Sequence, residues 1–380
     1  MLSADLTSLQ LISVRWWNGS AYYAVSLGKA LNNAGYRVFA GGRGDSPPIQ
    51  KATSWKLPCL TDINLESQNP LIIKSNVSRL KRFAIEKQVA IINAHRGEDL
   101  FHAVLLNRKL DRKLPIIRTA SDVRPPKKHR LNRWMHEIAV DYVIFSCRAN
   151  LIRYQNVWPI FEGRSRVIYG GVDTDFFRPD AGRTDLRAKL NFPPDATVIG
   201  IIGRFSPTKG HDVFVKAAAE VVAKEPNVRF VISGEPVEIS ENELRQQALR
   251  HGVADKITFL AKQEDVRDVI QLTDIPVVAS GGSEAVSRIT MECMAMGRPQ
   301  VVTEVNVLPE LIDNGQNGLV VPPSAPHKMA EALLKMVRRP DLRREMGAKA
   351  RKIAVERFSY PVFAEKTLSV YEEVLKKHSG

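Results

Sequence analysis

The chain of 380 residues is poor in cysteine, with Cys59, Cys147 and Cys293 alone. An odd number at wide spacing argues against a disulfide framework or a cysteine metal site, and it fits a reducing cytoplasm. Apolar runs are short, and none reaches the roughly 18 residues that span a bilayer. The first 17 residues lack a basic start followed by an apolar stretch, so no signal peptide is expected. Glycine (23) and proline (22) are too scarce for a collagen-like or disordered chain. Neither Gly-x-Gly-x-x-Gly after a strand nor Gly-x4-Gly-Lys-Ser/Thr occurs, which disfavours a nicotinamide dehydrogenase and a P-loop enzyme.

Positive charge, by contrast, is plentiful and localised. The net charge is +14. Residues 1–180 carry 27 basic and 15 acidic side chains, against 28 and 26 in residues 181–380. Residues 71–170 alone hold 20 and 8. Such a field implies an anionic partner: nucleic acid, lipid headgroups or a phosphorylated acceptor. No nucleic-acid-binding motif accompanies it. The densest stretch runs from Arg124 through Lys127, Lys128 and Arg130 to Trp134, a basic loop and helix suited to an anionic membrane surface or a phosphorylated glycolipid.

Apolar runs at 9–14, 37–40, 90–94, 116–119, 142–146 and 167–169 read as one set of strands. Those at 198–203, 229–233, 257–260, 275–279, 300–303 and 318–321 read as a second. Amphipathic stretches such as 23–34, 213–224 and 289–296 alternate with them, the pattern of a doubly wound α/β architecture. The proline-rich stretch 173–194 reads as a linker. The expected division is 1–178, 179–355 and a terminal helix, 356–380, able to pack back on the first domain.

Two motifs carry chemistry. Gly203-Arg204-x4-Lys209-Gly210-His211 leaves a strand and enters a helix, the place where α/β sheets bind phosphate. Glu284 and Glu292 are separated by seven residues, and Gly297-x-Pro299 follows. Glu292 falls on the apolar side of a helix, where an unpaired carboxylate is costly, and sugar hydroxyls are suitable donors to it.

Together these motifs resemble the retaining glycosyltransferases of family 4, which have the GT-B fold. The resemblance is firmest over residues 165–325. It implies two Rossmann-like domains facing a central cleft, the first for the acceptor and the second for a nucleotide-sugar donor. No cofactor or metal is implied; a nucleoside diphosphate sugar serves as substrate. By the same resemblance Arg204 and Lys209 hold the diphosphate, and Glu292 holds the ribose. Glu284 lies beside the transferred sugar, and Gly19 approaches the phosphates. Gly203, Ser287 and Arg288 complete the donor side. Asp173-Thr174-Asp175 is assigned a structural role rather than a metal.

His95, at the end of the 90–94 strand, is a catalytic candidate by its position. Trp16, Ser121, Asp122, Lys127, Lys128 and Arg130 belong to the acceptor or membrane side. The chain departs from the family pattern at three places. Ser121 stands where a histidine is usual, Ala285-Val286-Ser287 replaces Gly-Phe-Gly, and Asn306-Val307 replaces a glycine pair. The expected activity is sugar transfer to a glycan or glycolipid in lipopolysaccharide or other cell-surface polysaccharide synthesis, at the inner face of the cytoplasmic membrane. The rivals are a nucleotide-sugar 2-epimerase and a non-catalytic sugar-nucleotide or membrane-surface binding protein.

Overall fold

In the computed structural model, which describes residues 6–159, 161–182 and 184–379, two parallel sheets organise the chain. The first contains β1 (Thr7–Leu11), β2 (Arg37–Gly41), β3 (Cys59–Leu60), β4 (Ile91–Ala94), β5 (Ile116–Ala120), β6 (Tyr142–Phe145) and β7 (Ser165–Val167). Its order is β3-β2-β1-β4-β5-β6-β7. The second contains β8 (Thr197–Ile202), β9 (Val228–Gly234), β10 (Ile257–Ala261), β11 (Ile275–Val278), β12 (Gln300–Thr303) and β13 (Gly318–Val321), in the order β10-β9-β8-β11-β12-β13. Each sheet reverses direction once, between β1 and β4 and between β8 and β11. In such sheets ligands bind beyond the carboxyl ends of the strands at the reversal.

The apolar runs become central strands because both of their faces are covered. Every residue of β1, β4, β5, β6, β11 and β12 is buried. Two-residue β3, half-buried at the sheet edge, was missed in the sequence because it is too short to show a pattern.

The chain forms two units: residues up to Gly171 together with those from Tyr360 on, and Val172–Ser359. The terminal helix Tyr360–Ser379 belongs to the first unit, where it packs on the helix Gly19–Asn33. The stretch 173–194, read as a linker, is instead docked within the second unit. Arg351 donates to the carbonyls of Thr174 (3.0 Å), Phe177 (2.9 Å) and Ala295 (2.8 Å). Arg187 pairs with Asp274 at 2.9 Å. Proline and polarity mark irregular backbone, and they do not tell a free segment from one held by half-buried arginines.

Candidate active site

In the second unit the site grows from the ends of β8 and β11. A Cβ at Gly234 would strike the Gly203 carbonyl at 1.8 Å, so glycine lets β9 pass close to the loop. Gly210 has φ +69°, and a Cβ there would meet the Ala279 carbonyl at 2.1 Å. Glycine therefore brings the phosphate-type loop against the end of β11. Gly203, Lys209, His211, Ala279 and Ser280 line one small crevice as a result.

Lys209 Nζ donates to the Glu284 carboxylate, which is buried and also accepts from Ser280 Oγ at 2.7 Å. Arg204 stays at the surface, with no hydrogen bond or ion pair among the described residues. A Cβ at Gly203, Gly281 or Gly282 would meet nothing within 4 Å, so the backbone there is open to close approach.

Glu292 lies on the helix Arg288–Ala295 and is buried. Arg288 Nε reaches its Oε1 at 3.2 Å, one helical turn away, while its Oε2 has no hydrogen-bond partner. Burial pushes the Glu292 carboxyl pKa up, and Arg288 pulls it partly back. Ser287, at the start of this helix, adopts φ 46°, and its hydroxyl lies 2.8 Å from that of Thr290. Asn306 has φ 49°. The chain thus holds left-handed backbone with side chains at two of the positions where the resemblance expects glycine.

Sequence reasoning missed how the Glu284 loop is held. The carbonyls of Ser280, Gly282 and Glu284 accept, in turn, from Thr303 Oγ1 (2.7 Å), Asn306 Nδ2 (2.6 Å) and the Val307 amide (3.1 Å). The one available signal is that 303–307 follows a strand flanking β11. Asp173 Oδ1 accepts from the Phe176 amide at 3.0 Å, so it caps a turn.

In the first unit Asn18 caps the helix that begins at Gly19, and Ser20 Oγ donates to the Ser121 carbonyl at 2.8 Å. Trp16 is 70% exposed, whereas Trp17 packs edge-on against Tyr22 and Trp55. His95 is fully enclosed, its Nε2 3.1 Å from Gln10 Oε1 and its Nδ1 without a partner. Burial, with Arg118 nearby, lowers its pKa to about 3. It is therefore neutral at physiological pH, which suits a hydrogen-bonding role rather than proton transfer.

Ser121 is buried, with its hydroxyl unpaired. Asp122 accepts from the amide and guanidinium of Arg124 at 2.9 and 3.2 Å. Lys127, Lys128 and Arg130 are exposed, at the entry to the helix Arg130–Trp134 and the π-helical turn Met135–Ala139. Leu131, Trp134 and Ile138 are also exposed there, at helical spacing.

This architecture is a pair of Rossmann-like sheets with polar strand ends, and comparison with known proteins matches it to glycosyltransferase domains. Residues 17–176 match the model described as Glycosyltransferase Family 4, and residues 182–353 that described as Glycosyl transferases group 1. The chain thus carries two glycosyltransferase domains, one of each description.

It is 31% identical over 224 residues to a D-inositol 3-phosphate glycosyltransferase of Saccharomonospora viridis, covering 57% of this chain and 51% of that protein. The chain spans about half the length of the curated relatives it matches. Among solved structures it resembles a glycosyltransferase from Rickettsia africae, with TM-score 0.86, 20% identity and coverage of 98% of this chain and 99% of that one. It also resembles the Anabaena protein HepE in complex with UDP, with TM-score 0.84, 19% identity and coverage of 97% and 100%. At such identities the likeness to the solved structures is one of fold. No helix among the described residues is long and apolar enough to cross a membrane.

Proposed function

We propose that the protein is a retaining glycosyltransferase that moves a sugar from a nucleoside diphosphate, UDP first among the bases, to a hydroxyl of an anionic glycan or glycolipid. The observation that carries this reading is the pairing of Lys209 with buried Glu284 beside a second buried carboxylate, Glu292, whose Oε2 lacks a partner. The Glu292 oxygen accepts from a ribose hydroxyl. Lys209 and the exposed Arg204 take the diphosphate, and Glu284 meets the transferred sugar. The acceptor oxygen bonds to the anomeric carbon as the bond to the donor phosphate breaks, and its proton passes to a phosphate oxygen. No protein nucleophile or bound metal takes part. Lys209 and Arg204 stabilise the departing charge as an oxyanion hole does.

The positive field of residues 71–170 supports an anionic acceptor. The names of relatives that act on D-inositol 3-phosphate fit a phosphorylated one. The exposed Leu131, Trp134 and Ile138, ringed by Lys127, Lys128 and Arg130, suit peripheral contact with anionic lipid at the cytoplasmic face of a membrane. On this reading the protein acts in lipopolysaccharide or other cell-surface polysaccharide assembly.

The test is thermal stabilisation by UDP, GDP, ADP and CMP, with and without magnesium, followed by transfer from the matching sugar to candidate acceptors. Stabilisation by one nucleotide without metal, then acceptor-dependent transfer, is the expected result. No stabilisation at millimolar nucleotide overturns the donor site. Nucleotide release without transfer favours the 2-epimerase. Charge reversal of Lys127, Lys128 and Arg130 should reduce binding to anionic vesicles, most at low salt.

A further inference from the structure

We propose that Gln10 is a positioning residue that holds His95 in the tautomer protonated at Nε2, so that Nδ1 is presented as an acceptor for an O–H donor beyond β4. The choice of a sugar hydroxyl as that donor rests on the transferase reading; the tautomer does not.

Gln10 is buried in β1. Its Nε2 lies 3.1 Å from Tyr371 Oη and 3.3 Å from Ser8 Oγ, and its Oε1 faces His95 Nε2 at 3.1 Å. Both amide hydrogens and the carbonyl are thus used. Turning the amide over would set its nitrogen against His95, its one acceptor there, and strand one N–H in a buried site, where an unpaired donor is costly. A Gln10 carbonyl facing Nε2 requires that nitrogen to carry the proton, and Nδ1 then keeps a lone pair. Tyr371, from the terminal helix, accepts from the amide and so anchors it. It also faces Asn93 Nδ2 at 3.5 Å, whose Oδ1 accepts from Thr119 Oγ1 at 2.8 Å. The lowered His95 pKa keeps the ring neutral throughout the physiological range.

The lone pair at Nδ1 has no protein partner, and it has company. Ser121 Oγ, just beyond β5, is a buried polar atom that likewise lacks a hydrogen bond, while the Ser13 hydroxyl, just beyond β1, faces buried Asp99. β1 and β5 are the two neighbours of β4 in the sheet. The adjoining ends of β4 and β5 therefore each carry an unsatisfied polar atom, where buried groups are nearly always paired. A hydroxyl, whether of a bound sugar or of an enclosed water, satisfies them.

The experiment is nitrogen-15 NMR of ring-labelled histidine in the full chain, with the His95 signals assigned by their loss in His95→Gln. Proton attachment at Nε2, unchanged between pH 5 and 8, is expected; attachment at Nδ1 overturns the proposal. Gln10→Met should release the preference and give mixed tautomers. Tyr371→Phe, a milder change, should do so in part and serves if the first variant does not fold. An unchanged tautomer in whichever variants fold removes Gln10 from the role. Adding UDP-glucose separates the two hydroxyl sources: a shift of the Nδ1 signal assigns the sugar, and no shift assigns water. Gln10→Met should also lower kcat/KM about tenfold, in step with the tautomer rather than with Tm. Absence of any transfer by the native protein would sink the transferase reading and leave the tautomer measurement standing.

Discussion

The two sheets share the same strand order around their reversals but end in opposite chemistry. Beyond β8 and β11 the groups are charged and paired: Lys209 with Glu284, Arg288 with Glu292. Beyond β1, β4 and β5 they are enclosed and tend to neutrality. His95 has its pKa lowered to about 3, and Asp99 has its own pushed up to about 7, both chiefly by burial. Topology thus provides a place for a ligand, and the residues decide what sort. On the proposed reading one place takes diphosphate charge, and the other accepts or donates single hydrogen bonds.

The largest expected effect that sharpens this contrast is Lys209→Met, which should cut kcat/KM by about 100–1000-fold, the usual cost of losing one preorganised donor. His95→Ala should cost less; if steady-state kinetics ranks the two the other way, the contrast between the sheets fails. Glu292→Gln should weaken nucleotide binding by about tenfold in calorimetry, within the range for a hydrogen bond to a charged group. Unchanged affinity would remove the ribose role.

Asp99 gives a pH test. Its pKa is raised in the folded state, so the stabilising proton is bound below about pH 4 and lost as pH rises toward 7. His95 acts in the opposite sense, since its lowered pKa makes stability rise with pH between about 3 and 6.5. The difference between wild type and Asp99→Asn isolates the first term. In urea titrations wild type should lose stability relative to the variant from pH 4 to 7 and run parallel above it. A constant gap would show that Asp99 stays ionised. The smallest effect is expected from Ser287→Gly, which relieves left-handed backbone and should add about 0.5 kcal/mol. A lower Tm would mean that the hydroxyl contact with Thr290 outweighs the strain.

Strands such as Gln300–Thr303 and Gly318–Val321 were legible to the residue, because each is a short, largely buried run with a valine pair. Lys209 and the two glutamates were legible because their motif is local. Gln10 and Tyr371 were not, since they meet across 361 positions and neither residue type marks a site by itself. Asp99 stands in the first turn of its helix, and nothing in the sequence marks it as enclosed. The docking of 173–194 depends on partners from distant elements, Arg351 and Asp274, which composition cannot reveal.

The ties from Thr303, Asn306 and Val307 to alternate carbonyls of the Glu284 loop carry a practical consequence for engineering. The two segments behave as one cassette. A graft of residues 280–284 from another sugar specificity would arrive without its matching brace, and a one-residue insertion in either partner would shift the pairing out of phase. Changes of sugar preference in this scaffold should therefore succeed when both segments are exchanged together and stall when either is moved alone.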